Sequence, residues 1–224
     1  MYRVFFVPVF LLLTMSLAQG HFAFIVPEGK GETARVIFSD DLSPDTNVNI
    51  EKIANTKLTL RDSGGKESAL EWKKGEGFYA VNVPGTGTRV VYGITDYGVL
   101  QKGEGKPFKL TYCPKAIIGT ATAKEATVGE KLELEIIATG APGKTKFQVL
   151  YAGKPAPELE VSVLIPDAAK KAVKTDKEGF TPEIDARGRV GVVAKRIETK
   201  TGEHAGKKFD EVRTYATLVC DIEK

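Results

Sequence analysis

The sequence predicts an all-β protein, built as two tandem β-sandwich modules of immunoglobulin-like or prealbumin-like type behind a cleaved signal peptide. Three observations carry that prediction. Helical periodicity is nearly absent, short segments alternate apolar and polar residues, and Gly, Pro, Asn or Asp bound most of them. With 224 residues, 42% hydrophobic and 27% charged, the chain has enough apolar content for a core in each half.

In the first module, residues 21–119, strands are expected at Ala34–Phe38, Lys57–Arg61, Phe78–Val83, Arg89–Ile94 and Phe108–Cys113. Asp62-Ser63-Gly64-Gly65 and Pro84-Gly85 supply turn chemistry, because Gly tolerates positive φ and Asp bonds its own backbone. One short helix fits, around Val48 to Ala54. The Thr-, Ala- and Lys-rich stretch from Gly119 to Gly129 reads as a linker. In the second module, residues 120–224, strands are expected at Lys131–Ile136, Lys146–Tyr151, Leu159–Leu164, Gly188–Ala194 and Val212–Val219. The Lys131–Ile136 alternation puts its glutamates on one face and its leucines on the other. Lys170, Lys171 and Lys174 read as a solvated loop, and Thr175–Gly179 as a plain turn rather than a calcium loop.

Residues 1–20 read as the signal peptide: Arg3, an apolar stretch from Val4 to Leu17, then small residues at Ala18-Gln19-Gly20. Removal leaves 204 residues beginning at His21, with a periplasmic or extracellular destination. No later apolar run approaches the ~20 residues of a membrane span. The formal charge is only +3 and dispersed, which argues against a nucleic-acid partner. Cys113 and Cys220 are the only cysteines; a disulfide, two buried thiols and a metal-ligand role for Cys113 all remain open.

The chemistry of the chain points away from catalysis. Its serines lack a nucleophile-elbow context, and its two histidines leave little for a triad. Asp40-Asp41 reads as turn residues. Gly85-Thr86-Gly87 lacks the lysine and strand-to-helix setting of a nucleotide phosphate loop. A non-enzymatic protein is therefore expected.

An N-terminal His21 is different, because its α-amine and imidazole Nδ1 can close a six-membered chelate on one metal ion. The amine titrates near pH ~8, so a metal displaces its proton at neutral pH. Such nitrogen donors suit copper and nickel best. His204 and then Cys113 are the candidates to complete the site. A copper oxidase of the histidine-brace type also begins with histidine, but needs a second one beside the first.

His21-Phe22, the run Pro107-Phe108-Lys109-Leu110, Tyr151–Pro155, Thr175–Gly179 and the closing Val212–Leu218 together resemble the NikM-like periplasmic family. That is a domain-of-unknown-function family named for an association with nickel uptake. The resemblance implies periplasmic binding of a divalent cation, nickel or cobalt, as an accessory to a membrane cation transporter, and only His21 carries over by position. The tryptophan usual behind that histidine is replaced by Phe24 and Ile25. The competing expectation is a structural or adhesive cell-envelope module that binds protein or polysaccharide through a sandwich face.

Overall fold

The computed structural model describes residues 20–141, 144–166 and 168–222. The expected signal peptide lies, but for Gly20, outside them. In chain order the strands are β1 (Phe22–Glu28), β2 (Thr33–Ser39), β3 (Lys57–Arg61), β4 (Glu67–Leu70), β5 (Trp72–Lys74), β6 (Phe78–Asn82), β7 (Arg89–Leu100) and β8 (Phe108–Ile118). There follow β9 (Leu134–Ala141), β10 (Lys144–Tyr151), β11 (Lys154–Pro155), β12 (Glu160–Leu164), β13 (Lys171–Lys174), β14 (Gly188–His204) and β15 (Lys207–Ile222). The expected helix is a short 3-10 turn, Ile50–Ile53, whose first turn is capped by the Asn49 side chain. The chain is all-β, with sheets packed face to face as a sandwich requires.

Three sheets make the fold. A central one of eight strands runs β13-β12-β14-β15-β8-β7-β3-β4; a four-stranded sheet, β1-β2-β6-β5, and a three-stranded one, β11-β10-β9, complete it. The central sheet takes strands from both halves of the sequence. β15 pairs in parallel with β8, from Glu211 opposite Phe108 to Val219 opposite Ala116. The Gly119–Gly129 segment therefore connects two halves that share one hydrogen-bonded sheet.

Alternation along the shared strands sends side chains to opposite faces. Leu110, Tyr112, Ala116 and Val219 join Phe24, Val36 and Ile37 in one core. Cys113, Ile117, Leu218 and Cys220 join Leu134, Ile136, Phe147 and Val149 in another. Each core lies between the central sheet and one of the smaller sheets.

Two local expectations need correction. The strand expected over Lys131–Ile136 begins only at Leu134, behind a 3-10 turn, so Glu133 is exposed while Glu135 is 1% exposed and bonded to an equally buried Lys115. The lysine cluster is not a loop, since Lys171–Lys174 forms β13, the edge of the central sheet, where lysines deter pairing with another chain. No helix among the described residues is long and apolar enough to cross a membrane.

Candidate metal centre

His21 stands one residue before β1, at the mouth of the first core. β1 is an edge strand of the four-stranded sheet, and side chains of the central sheet satisfy carbonyls along it. Thr217 Oγ1 donates to Ala23 O at 2.7 Å, Arg189 Nη1 to Pro27 O at 2.6 Å, and the Tyr112 hydroxyl to His21 O at 3.1 Å. The backbone of His21 is thus tied to β8, and its ring packs 5.7 Å from the ring of Phe38. Phe38 continues into an aromatic cluster with Tyr97 and Tyr112. Burial raises the phenol pKa of Tyr112 far above its ordinary value, so its hydroxyl remains a donor.

The imidazole is fixed by a carboxylate. His21 Nε2 lies 3.0 Å from Asp45 Oδ2, and both side chains are partly buried. Asp45 is held in turn by the loop after β2: its Oδ1 accepts the Asn47 N–H at 2.9 Å. That main-chain bond, and after it the bond from His21, keeps the Asp45 carboxyl below its usual range. An ionised Asp45 favours the neutral tautomer that carries its proton on Nε2, and in that tautomer the Nδ1 lone pair is free. Nδ1 is the nitrogen that a chelate with the α-amine needs.

The other expected ligands lie elsewhere. His204, at the end of β14, folds back onto the first half of the chain, but meets Asp96 of β7, with Nε2 2.9 Å from Oδ2. Cys113 faces the second core, where burial pushes its thiol up to about 12. Cys220 is buried in the same core and likewise raised to about 12, and both are free thiols. A buried thiol of that basicity is a poor source of the thiolate a metal requires. His21, His204 and Cys113 are therefore not gathered at one point. Among the described residues, no group of three or more His, Cys, Asp or Glu side chains is arranged to hold a metal ion.

Sequence reasoning missed Asp45 and Asp96. Asp45 sits in Ser43-Pro44-Asp45-Thr46-Asn47, whose only local signal is a turn, and its pairing with a residue 24 positions away is set by the β1–β2 hairpin. Other expectations of plain turn chemistry agree with the geometry. Asp41 Oδ1 accepts the Ser43 N–H, and Asp176 Oδ1 accepts the N–H groups of Glu178 and Phe180.

No family model matches this chain. No curated protein matches it significantly either. Among solved structures, a tetra-tandem repeat from the extending region of a large adhesion protein is similar at 14% identity and a TM-score of 0.23, over 90% of this chain and 50% of that one. A two-domain fibronectin type-III segment of chicken tenascin is similar at 11% identity and a TM-score of 0.23, over 88% of this chain and 97% of the other. A pullulanase from Anoxybacillus sp. LM18-11 is similar at 16% identity and a TM-score of 0.19, over 78% and 24%. This chain spans half the length of the adhesion-protein segment it matches.

Proposed function

We propose that the mature protein is an exported, non-enzymatic binder of a divalent transition metal, with copper, nickel or cobalt held by His21. One observation supports this reading above the others: Asp45 occupies Nε2 of His21 and so leaves Nδ1 available. Carboxylate–imidazole pairs of this kind orient metal-bound histidines and raise their basicity. The second donor is the α-amine that cleavage directly before His21 would create. The Tyr112 bond to His21 O holds the backbone from which both donors spring. The protein supplies a bidentate anchor, and solvent or a partner such as a membrane cation transporter supplies the remaining positions.

Titration of the mature form with Cu²⁺ or Ni²⁺ tests this, with the N-terminus established by mass spectrometry. One residue added before His21 removes the amine from the chelate, and His21→Ala removes the ring; each is expected to abolish tight binding. Asp45→Asn is expected to weaken it by about 10–100-fold. Unchanged affinity in the extended form and in His21→Ala would overturn the reading.

A second reading, a structural or adhesive envelope module, draws on a different face. There Ile94, 42% exposed, lies with Tyr151, Pro155, Pro157 and Leu159 along an open groove beside Arg196. The guanidinium of Arg196 stacks 3.6 Å from the centre of the Tyr151 ring. A metal-independent interaction lost in Tyr151→Ser would favour that reading.

A further inference from the structure

Gly85-Thr86-Gly87-Thr88-Arg89 leads into β7, so it is no nucleotide phosphate loop, yet it carries a buried cation in an unusual setting. Arg89 is 5% exposed. Its Nη1 donates to Gly85 O at 2.7 Å and Val83 O at 3.0 Å, with Pro84 O at 3.5 Å, and its Nε donates to Gly87 O at 3.3 Å. These are all neutral carbonyls. Nη2 donates to no acceptor among the described residues. It lies close to Gly31, where a Cβ would stand 3.2 Å from it. Nη2 is not a buried atom left without a partner, so it opens to solvent, while the carbonyl dipoles on the other nitrogens do not neutralise the charge.

Arg89 lines a surface depression of about 480 Å³ together with Lys30, Glu32, Thr86, Thr88 and Thr120. Glu32 is the one acid on this rim. Its Oε2 is turned to the Lys30 N–H at 2.9 Å. Its carboxyl is held below the usual range chiefly by its own and the Lys30 main-chain N–H, with Arg89 the smallest contribution. Glu32 makes no ion-pair contact with Arg89 among the described residues, although the two charges lie near enough to act on each other. Around the rim, φ is 95° at Gly85, 74° at Gly87 and 98° at Gly119. Positive φ at these glycines lets the backbone turn tightly around the depression.

We propose that this depression binds a tetrahedral oxyanion, a phosphate or sulfate group, with Arg89 as its buried counter-charge and Lys30 and Thr88 as rim donors. The site is separate from His21 and operates without metal. The test follows amide resonances of the mature protein during titration with sodium phosphate and sodium sulfate, against sodium chloride at matched ionic strength. Saturable shifts of Gly85, Gly87 and Gly119 with the oxyanions alone are expected. Lys30→Glu, at an exposed position, and Thr88→Val, at a half-buried one, should weaken binding by about tenfold or more while the fold is retained. Arg89→Lys should abolish saturation, with amide dispersion reporting that it folds. Shifts that match chloride, or saturation that persists in Lys30→Glu and in a folded Arg89→Lys, would overturn the proposal.

Discussion

On one face of the central sheet the core is rich in rings: Phe22, Phe24, Phe38, Tyr79, Phe108 and Tyr112 stand among aliphatic side chains, flanked by Trp72, Phe78, Tyr97 and Tyr215. On the other it is largely aliphatic, with Phe147 and Tyr92 among leucines, isoleucines, valines and both cysteines. The polar fastenings differ as well. The ring-rich core holds its edge strand by the Thr217 hydroxyl and the Arg189 guanidinium, which reach β1 carbonyls, and by the Tyr112 hydroxyl on the residue before it. The aliphatic core encloses an ion pair, with Lys115 Nζ 2.5 Å from Glu135 Oε1. Lys115 also donates to Ala126 O at 3.0 Å. Glu135 accepts the N–H groups of Val128 and Gly129, each at 2.8 Å. The connecting segment is thus bonded into the core it borders. The contrast teaches that one face of a shared sheet can fasten an edge strand through bonds to its carbonyls while the other encloses a buried charge pair.

The sharpest way to break this symmetry is Lys115→Met. It strands an ionised or costly neutral Glu135 in an apolar core and releases Ala126 O. Removing one partner of a buried pair destabilises by about 3–5 kcal/mol. Burial already lowers the Lys115 pKa, even with Glu135 opposing the shift, which indicates how much the charge depends on its partner. Urea denaturation should show the full loss, and Glu135→Gln in the same background should recover part of it. A loss below about 1 kcal/mol would mean that aliphatic packing alone holds that side.

A smaller effect is expected on the ring-rich face. Thr217→Val keeps the shape of a residue only 1% exposed but removes the bond to Ala23 O. An orphaned buried carbonyl costs about 1–3 kcal/mol. Hydrogen exchange should show the loosening concentrated in β1, ahead of β8 and β15. Uniform loosening of all three strands would show that β1 is held by its rings instead.

The smallest effect lies on the outer side of the connecting segment. Glu67 is held down to about 2, chiefly by a hydrogen bond from Lys131 and also by Arg61. Arg61 donates to Thr127 O and Val128 O as well, so this cluster clamps the segment from outside. A carboxyl lowered in the folded state stabilises above its unfolded value of 4.5, and that contribution is lost as pH falls through about 2. Stability of the native protein should therefore decline between about pH 5 and 2, and Glu67→Gln should flatten that decline. Because the group is partly exposed, the change at neutral pH is expected to stay under about 1 kcal/mol.

Much of the strand pattern was legible. Lys57–Arg61 is a strand at the bounds its alternation predicts, and Asp62–Gly65 turns it into β4 with Asp62 Oδ1 accepting the Gly64 and Lys66 N–H groups. β1 escaped because a strand whose first six residues are all buried shows no alternation. Edge strands as short as β5 and β11 also leave too few residues to show a period. Around the candidate metal centre, His21 was readable from its place behind the expected signal, whereas Asp45 looked like any turn residue.

By itself the sequence determined the β class, the turn positions and the scarcity of donors, because all three depend on local residue types and their spacing. Tertiary structure alone decided that β15 lies parallel to β8, that Glu135 and Lys115 share a core, and that Asp45 rather than His204 meets His21. Each of those is a contact between distant segments. Its energy depends on which faces are brought together and dried, which a one-dimensional pattern does not specify.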